Sequence, residues 1–169
     1  MNERDSLFHE AQHIRQLWIW VLLLAIAVLS IWGAIQQLLL RTPFGNNPAP
    51  DSVIILLVII FGAIVPLVFY FMNLTIEVYP DGLYYRFFPF HLRFRCIALE
   101  NMVDCEACEY SPLKDYGGWG IRYGKKGKVY NVSGNRGVLI RLTNGDNVMF
   151  GSQRPVDFAT TIKQAYNHS

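Results

Sequence analysis

Residues 17–40 read LWIWVLLLAIAVLSIWGAIQQLLL and contain no charged side chain. As an α-helix this run would be roughly 36 Å long, whereas the hydrocarbon core of a bilayer is about 30 Å thick. Residues 53–72, VIILLVIIFGAIVPLVFYFM, form a second uncharged run that is long enough to cross once. Both runs are apolar on every face, whereas a core helix of a soluble domain is apolar along one stripe. They therefore predict two transmembrane helices.

The connection between the two runs predicts a helical hairpin. Residues 41–52, RTPFGNNPAPDS, are rich in proline, glycine and asparagine, as expected of a turn between antiparallel helices. Arg4 and Arg15 precede the first run and Arg86 follows the second, whereas the connection carries only Arg41. Because cytosolic flanks are enriched in Lys and Arg, this bias predicts a multi-pass protein of the plasma (cytoplasmic) membrane with both termini in the cytosol.

After Leu74 the sequence changes from continuous apolar residues to the alternation that is typical of strands. Two strands are predicted at residues 75–79 and 83–88, joined by the turn Pro80-Asp81-Gly82. Asn144-Gly145 predicts a second tight hairpin. The further predicted strands are residues 91–96, 103–109, 120–123, 128–133, 138–143 and 148–150.

The chain is expected to end in an amphipathic helix. Pro155 suits its first turn, Phe158, Ile162 and Tyr166 recur every four residues as one apolar stripe, and Lys163 suits its last turns. About seven short antiparallel strands closed by one helix are the plan of a pleckstrin-homology-like (PH-like) barrel.

These features predict an α+β membrane protein in three parts. Residues 1–16 are expected to be a cytosolic N-terminal tail, and residues 17–72 a transmembrane hairpin with spans at 17–40 and 53–72. Residues 73–169 are expected to form a cytosolic PH-like β-barrel of about seven strands capped by a C-terminal helix.

Four stretches carry a resemblance to a known family. They are PDGLYYRFFP (80–89), YGGWGIRY (116–123), YNVSGNRG (130–137) and GSQRP (151–155). With them the chain resembles a bacterial and archaeal family of membrane proteins in which two helices precede a PH-like domain. The resemblance covers nearly the whole chain and implies this fold. Members of this family have no assigned activity. Bacterial PH-like domains resemble assembly modules more than catalysts, and this comparison is an analogy of fold.

His9-Glu10-Ala11-Gln12-His13 matches the H-E-x-x-H pattern of zinc peptidases. On a helix, His9 and His13 would bind the metal and Glu10 would act as the general base. No third ligand follows at a familiar distance, and the alternative interpretation is a polar interfacial helix that leads into the membrane. A membrane zinc metallopeptidase is therefore the alternative function.

The cysteines do not indicate a metal or redox centre. Three cysteines at irregular spacing, Cys96, Cys105 and Cys108, are no disulfide framework and fit a reducing compartment. Cys105 and Cys108 form a lone C-x-x-C, whereas structural zinc needs two further ligands. On a strand the two would point to opposite faces, which favours buried or half-buried cysteines.

Basic residues provide the main binding hypothesis. One group lies on consecutive predicted strands after the second span and the other near a hairpin tip, and either could rest on anionic lipid head groups. These residues are Arg86, Arg93, Arg95, Lys125, Lys126 and Lys128. Trp119, Arg122 and Tyr123 form a candidate aromatic and basic patch for a protein partner. Alternatively, the cations are solvated surface charge and Trp119 packs inside the barrel.

The sequence favours a binding role over catalysis. The net charge of +2 and the lack of a long basic run argue against nucleic-acid binding. No catalytic set stands out and no cofactor is expected, and the spans carry no ionisable group for transport. We expect a non-catalytic, membrane-anchored PH-like module that acts as a scaffold or accessory subunit, with membrane lipids and other membrane-protein subunits as partners.

Overall fold

A computed structural model of the chain describes residues 6–43, 45, 47–124 and 126–167. The chain divides into two compact units. One unit is residues 15–71, and the other combines the described residues of 1–14 with those of 72–169. Arg4 and Lys125, which were used in the predictions above, lie outside the described residues.

The unit of residues 15–71 contains two long apolar helices, as predicted. They are α1 (Leu17–Leu39) and α2 (Asp51–Phe71). The most apolar windows of α1 and α2 are only 17% and 6% buried, unlike the core helix of a soluble protein. By length and composition both helices could cross a membrane.

Polar contacts tie the end of α1 to the start of α2. The side-chain amide of Gln37 donates to the carbonyl oxygen of Ala49 at 2.6 Å and to a carboxylate oxygen of Asp51 at 2.7 Å. Ser30 donates to the carbonyl oxygen of Ile26 within its own helix at 2.8 Å. Gln37 thus fixes the connection between the helices, while Ser30 satisfies its hydroxyl locally.

The other unit is built from strands and two helices. In the part of the chain that the structure describes, nine strands are present: β1 (Phe8–His13), β2 (Asn73–Tyr79), β3 (Gly82–Phe88), β4 (Arg95–Ala98), β5 (Met102–Glu109), β6 (Gly120–Gly124), β7 (Gly127–Asn131), β8 (Arg136–Leu142) and β9 (Asn147–Gly151). Two helices accompany them: α3 (Pro112–Tyr116) and α4 (Pro155–Asn167).

The strands form two sheets. The first is four-stranded and antiparallel in the order β1-β2-β3-β4. The second has the order β5-β8-β9-β7-β6, in which only the β7–β9 pair is parallel. Among the described residues no strand pairing joins the two sheets, so the prediction of a closed barrel is wrong. The hairpins at Pro80-Asp81-Gly82 and Asn144-Gly145 are confirmed, and Gly145 has the φ of +88° that a tight turn requires.

The predicted boundary between tail and domain is wrong, because the N-terminal segment belongs to the first sheet. β1 pairs with β2 along its whole length, with Phe8 opposite Val78 and His13 opposite Asn73. In sequence, the two apolar helices therefore lie between the first and second strands of one sheet. The interfacial helix considered for residues 9–13 is also wrong, because this segment is extended.

The strand predicted at residues 91–96 is displaced. β4 begins only at Arg95, and the residues before it form a loop in which Leu92 is 75% exposed. His91, which alternation placed on the polar face, is buried at 8% exposure. Alternation misled here because Phe90, Leu92 and Phe94 all point away from the core.

α4 covers the core formed by the two sheets. Phe158 is fully buried, stacks on Phe8 of β1 with ring centroids 5.1 Å apart, and meets Phe150 of β9 at 6.5 Å. The predicted stripe is right for Phe158 and Ile162 but wrong for Tyr166, which is 56% exposed. Ala165 occupies that place instead, since seven residues return closer to the same face of a helix than eight do.

Candidate anion-binding site

A pair of tyrosines lies where the two sheets meet. Tyr85 comes from β3 and Tyr130 from β7, and their rings are 4.8 Å apart. Their hydroxyl oxygens are 3.4 Å apart, so one hydroxyl donates to the other. Burial raises the pKa of both phenols, which keeps them protonated near neutral pH. Because one shared hydrogen bond uses one of two hydrogens, the second hydroxyl hydrogen remains able to donate.

The buried ring of His91 contacts both tyrosines of the pair. Its ring lies 5.9 Å from the ring of Tyr85 and 5.6 Å from that of Tyr130, in edge-on contact with both. Burial is the main cause that lowers the pKa of His91, and the charges of Arg95 and Lys128 add to it. Its Nδ1 atom has no hydrogen-bond partner within the described residues. The imidazole is therefore a neutral, buried group beside two cations.

Two cations from different sheets lie beside the tyrosine pair. Arg95 on β4 is the register partner of Tyr85, and it lowers the pKa of Tyr130 by charge and by a hydrogen bond. The ammonium of Lys128 lies 4.9 Å from the ring centroid of Tyr130 and 5.1 Å from that of Tyr123. Across the described part of the chain, neither Arg95 nor Lys128 has a carboxylate within 4.0 Å.

This arrangement is suited to an anion. Two cations without acidic partners and a hydroxyl that can donate are the groups that bind phosphate or carboxylate oxygens. The two sheets hold these groups in place, since Tyr85 and Tyr130 both pack against the buried ring of Phe150. We refer to Tyr85, His91, Arg95, Lys128 and Tyr130 as the basic cluster.

The structure brings together one residue from each predicted basic group and separates the others. Arg95 and Lys128 meet in the basic cluster. Arg86 stacks on the ring of Phe94 at 4.8 Å, and Lys126 pairs with Asp115 at 3.6 Å. Arg93 is exposed in the loop before β4, and Lys125 lies outside the described residues.

The predicted aromatic patch is divided between two surroundings. The indole N–H of Trp119 donates to the carbonyl oxygen of Gly134 at 3.2 Å, and Arg122 donates to the carbonyl oxygen of Trp119. Trp119 is half-buried, so the interpretation that it packs inside the core is not supported. Adjacent residues of a strand face opposite sides, so Tyr123 lies on the other face from Arg122. There its ring contacts the ammonium of Lys128.

The H-E-x-x-H pattern does not form a zinc site. On β1, His9 and His13 are four positions and therefore about 13 Å apart, and Glu10 points to the opposite face. Glu10 is buried and accepts hydrogen bonds from the hydroxyl of Ser152 at 2.6 Å and the backbone N–H of Gln153 at 2.8 Å. No cluster of three metal-ligating side chains occurs among the described residues.

Cys105 and Cys108 have the predicted surroundings, whereas Cys96 is exposed. Cys105 is buried on β5 with its sulfur 3.6 Å from the carbonyl oxygen of Ala159, and Cys108 is half-buried. Burial raises the pKa of both thiols, which makes them weak nucleophiles near neutral pH.

Sequence reasoning did not identify the tyrosines or His91 as site residues. Tyr85 lies in PDGLYYRFFP and Tyr130 in YNVSGNRG, two of the stretches that carry the family resemblance. Their adjacency depends on the meeting of β3 and β7, which are 45 positions apart in the chain at these residues. The burial of His91 could not be read from local alternation, which placed it on the polar face.

Removing both cations of the basic cluster should weaken anion binding. Near an anionic surface each cation contributes about 1 kcal/mol, so the Arg95→Gln/Lys128→Gln double variant should bind on the order of 30-fold more weakly. Native mass spectrometry of the full chain in neutral detergent, titrated with short-chain phosphatidylglycerol, measures this. The charge-matched control is Arg136→Gln/Lys163→Gln, which removes two exposed cations elsewhere. Equal loss in both double variants would contradict a localised site.

Fold and site define a class of protein: an α+β chain in which an apolar two-helix hairpin interrupts a sheet after its first strand. The chain belongs to the Family of unknown function (DUF6141), whose sequence profile it matches over residues 1–168. The expected resemblance to a family without an assigned activity, over nearly the whole chain, is thereby confirmed. No protein with a curated function matches the chain significantly in sequence.

Proposed function

We propose that the protein is a non-catalytic PH-like module, anchored in the plasma membrane by α1 and α2, that acts as an accessory subunit or scaffold of a membrane-protein complex. The observation that carries this proposal is the exposed apolar surface of the two helices. Water-exposed helices of this composition would aggregate, whereas a bilayer or neighbouring spans would cover them.

The strand arrangement supports the PH-like assignment. The β6–β7 hairpin is inserted between β5 and β8 and joins the second sheet through the parallel β7–β9 pair. Without it, β1–β4 form one sheet and the meander β5-β8-β9 forms the other, followed by α4. Seven strands in two packed sheets with a closing helix are a PH-like plan.

The pairing of β1 with β2 supports a hairpin topology. Because His13 lies opposite Asn73, the chain must return to the side of the bilayer from which it entered. The excess of Arg outside the connection favours the cytosol for that side. On the cytosolic leaflet the basic cluster would meet anionic head groups, whose phosphates match its two cations and its hydroxyl.

The two helices bury few of their apolar side chains against each other, which supports packing against the spans of other proteins. α1 buries Leu23, Ala27 and Gly33, and the first part of α2 buries Ile54. Small residues such as Ala27 and Gly33 permit close helix contact. Most of the remaining apolar surface faces outward, where lipid or the helices of a partner can pack.

Purification from native membranes tests the proposal. Alkaline carbonate should leave the full chain in the membrane pellet. Extraction in mild detergent should then give a particle heavier than a monomer with its micelle, containing stoichiometric partner proteins. Release by carbonate would contradict the anchor. A clean monomer with hydrolytic activity would contradict the accessory role.

A further inference from the structure

The loop that joins β3 to β4 exposes large apolar side chains in an unusual way. We call residues 89–94, PFHLRF, the β3–β4 loop. Phe90 is 63% exposed and Leu92 is 75% exposed, whereas His91 between them is buried. The backbone N–H of His91 donates to the carbonyl oxygen of Phe87 at 2.8 Å, and its ring is held by Tyr85 and Tyr130. His91 thus fixes the loop so that its two neighbours project outward.

The loop leaves the end of the first sheet that is covalently joined to the apolar helices. Asn73 pairs with His13 on one side and with Phe88 on the other, and the loop begins at the next residue, Pro89. Asn73 follows the last residue of α2, Phe71, by two positions, which limits their separation to about 7 Å. Phe88, the residue before the loop, is the register partner of Asn73, so the start of the loop is linked to the end of α2 through one strand pair.

The charge of the surrounding segment complements an anionic surface. Arg86, Arg93 and Arg95 lie within or beside the loop, and no acidic residue occurs between Asp81 and Glu100 in the sequence. Apolar side chains at the tip with cations around them are the pattern of segments that lie in a membrane interface. A protein partner would not explain why this pattern occurs at the end of the sheet from which the apolar helices depart.

We propose that the β3–β4 loop inserts Phe90 and Leu92 into the headgroup region of the bilayer, while Arg93 contacts lipid phosphates. This inference rests on the proposed membrane anchoring and adds a third point of membrane contact to the two helices. The loop fixes the tilt of the sheets relative to the bilayer and holds the basic cluster at the depth of the head groups.

Depth measurements by spin labelling test the inference on the full chain. The background is Cys96→Ser/Cys108→Ser, in which the remaining Cys105 is buried and resists labelling. Nitroxides are placed at Phe90→Cys or Leu92→Cys, and the protein is reconstituted in vesicles of phosphatidylcholine and phosphatidylglycerol. Both side chains are exposed, and Leu92 is the more exposed of the two, whereas Phe90 also touches the ring of the buried Phe87 at 6.0 Å. Collision rates with oxygen and with a water-soluble nickel chelate give the depth of each label.

Two further labels make the outcomes distinguishable. Val103→Cys on β5 is the matched control, since Val103 is an apolar residue exposed to 66% beyond the opposite end of the first sheet. Val28→Cys, in the middle of α1, reports whether the helix is in the bilayer. Labels at positions 90 and 92 should lie about 5–10 Å into the headgroup and acyl boundary, with the label at position 103 in water.

Three other results would overturn the inference. Labels at 90 and 92 in water, with the label at 28 deep, would reject loop insertion and leave the anchored module intact. If the label at position 28 also lay in water, both the loop insertion and the membrane anchor would be rejected. Labels at 90 and 92 that are shielded from oxygen and nickel alike would indicate a protein contact in place of lipid.

Discussion

A chain in which Asn-Gly replaces residues 15–71 should fold without detergent, whereas residues 72–169 alone should not. Ile14 follows His13, and Met72 precedes Asn73, the register partner of His13, so a two-residue hairpin turn can join Ile14 to Met72. The bridged chain keeps all nine strands of the described residues and lacks both apolar helices. The shorter fragment lacks β1, although sequence reasoning would have chosen it as the complete domain.

The expected difference comes from what β1 contributes. Phe8 is 6% exposed and stacks on Phe158, and losing such a side chain costs about 3–5 kcal/mol. Gln12, at 2% exposure, donates to the carbonyl oxygen of Gly151 at 2.7 Å. Without Glu10, the buried hydroxyl of Ser152 and the partly buried N–H of Gln153 lose their acceptor, at up to about 1–3 kcal/mol each. Because domains are stable by about 5–15 kcal/mol in total, the fragment retains little or no net stability.

Thermal unfolding followed by circular dichroism measures this result. The bridged chain should show one cooperative transition, and the fragment should show none. The control is the bridged chain with residues 6–14 in scrambled order, which has the same length and composition. If the fragment and the bridged chain melted at the same temperature, β1 would not be part of the fold.

Glu10→Ala should destabilise the protein by about 2–4 kcal/mol, because it removes the acceptor of the buried Ser152 hydroxyl and of the partly buried Gln153 N–H. The effect extends along the chain, since the Ser152 oxygen also accepts from the backbone N–H of Arg154 at 3.0 Å. Arg154 in turn donates to the carbonyl oxygen of His9 at 2.7 Å and lies over the ring of Phe8. These contacts fasten β1 to the segment between β9 and α4.

Denaturant titration of the full chain in detergent measures this loss. Glu10→Gln retains one acceptor oxygen and should cost less than Glu10→Ala. Glu109→Ala removes an exposed carboxylate from β5 and should stay within about 0.5 kcal/mol of the parent. A zinc peptidase would predict the reverse: lost hydrolysis with unchanged stability. Unchanged stability of Glu10→Ala would therefore contradict the structural role of this carboxylate.

The motif GSQRP, residues 151–155, has a physical role that its sequence did not reveal. Its Ser152 and Gln153 donate to Glu10, and Gln12 donates to the carbonyl oxygen of Gly151. Both partners lie about 140 positions away in the chain, at its other end. The segment is one of the stretches that carry the family resemblance, and its contacts with β1 give it a structural role.

The sequence alone determined the features that depend on neighbouring residues. The two continuous apolar runs predicted the two long helices from their length and composition alone. Pro80-Asp81-Gly82 and Asn144-Gly145 specify their hairpins because turn geometry is decided within four residues. The terminal helix was predictable from its period, apart from Tyr166, whose place Ala165 takes.

Tertiary structure decided the features that depend on distant residues. His9–His13 fits a helix or a strand equally well, and only its pairing with β2, some 60 positions later, makes it a strand. Arg95 and Lys128 belong to separate basic groups in the sequence, and they meet because β3 and β7 bring Tyr85 and Tyr130 into contact. Side-chain periodicity records which face of a segment is apolar, but it does not record which segment will cover that face.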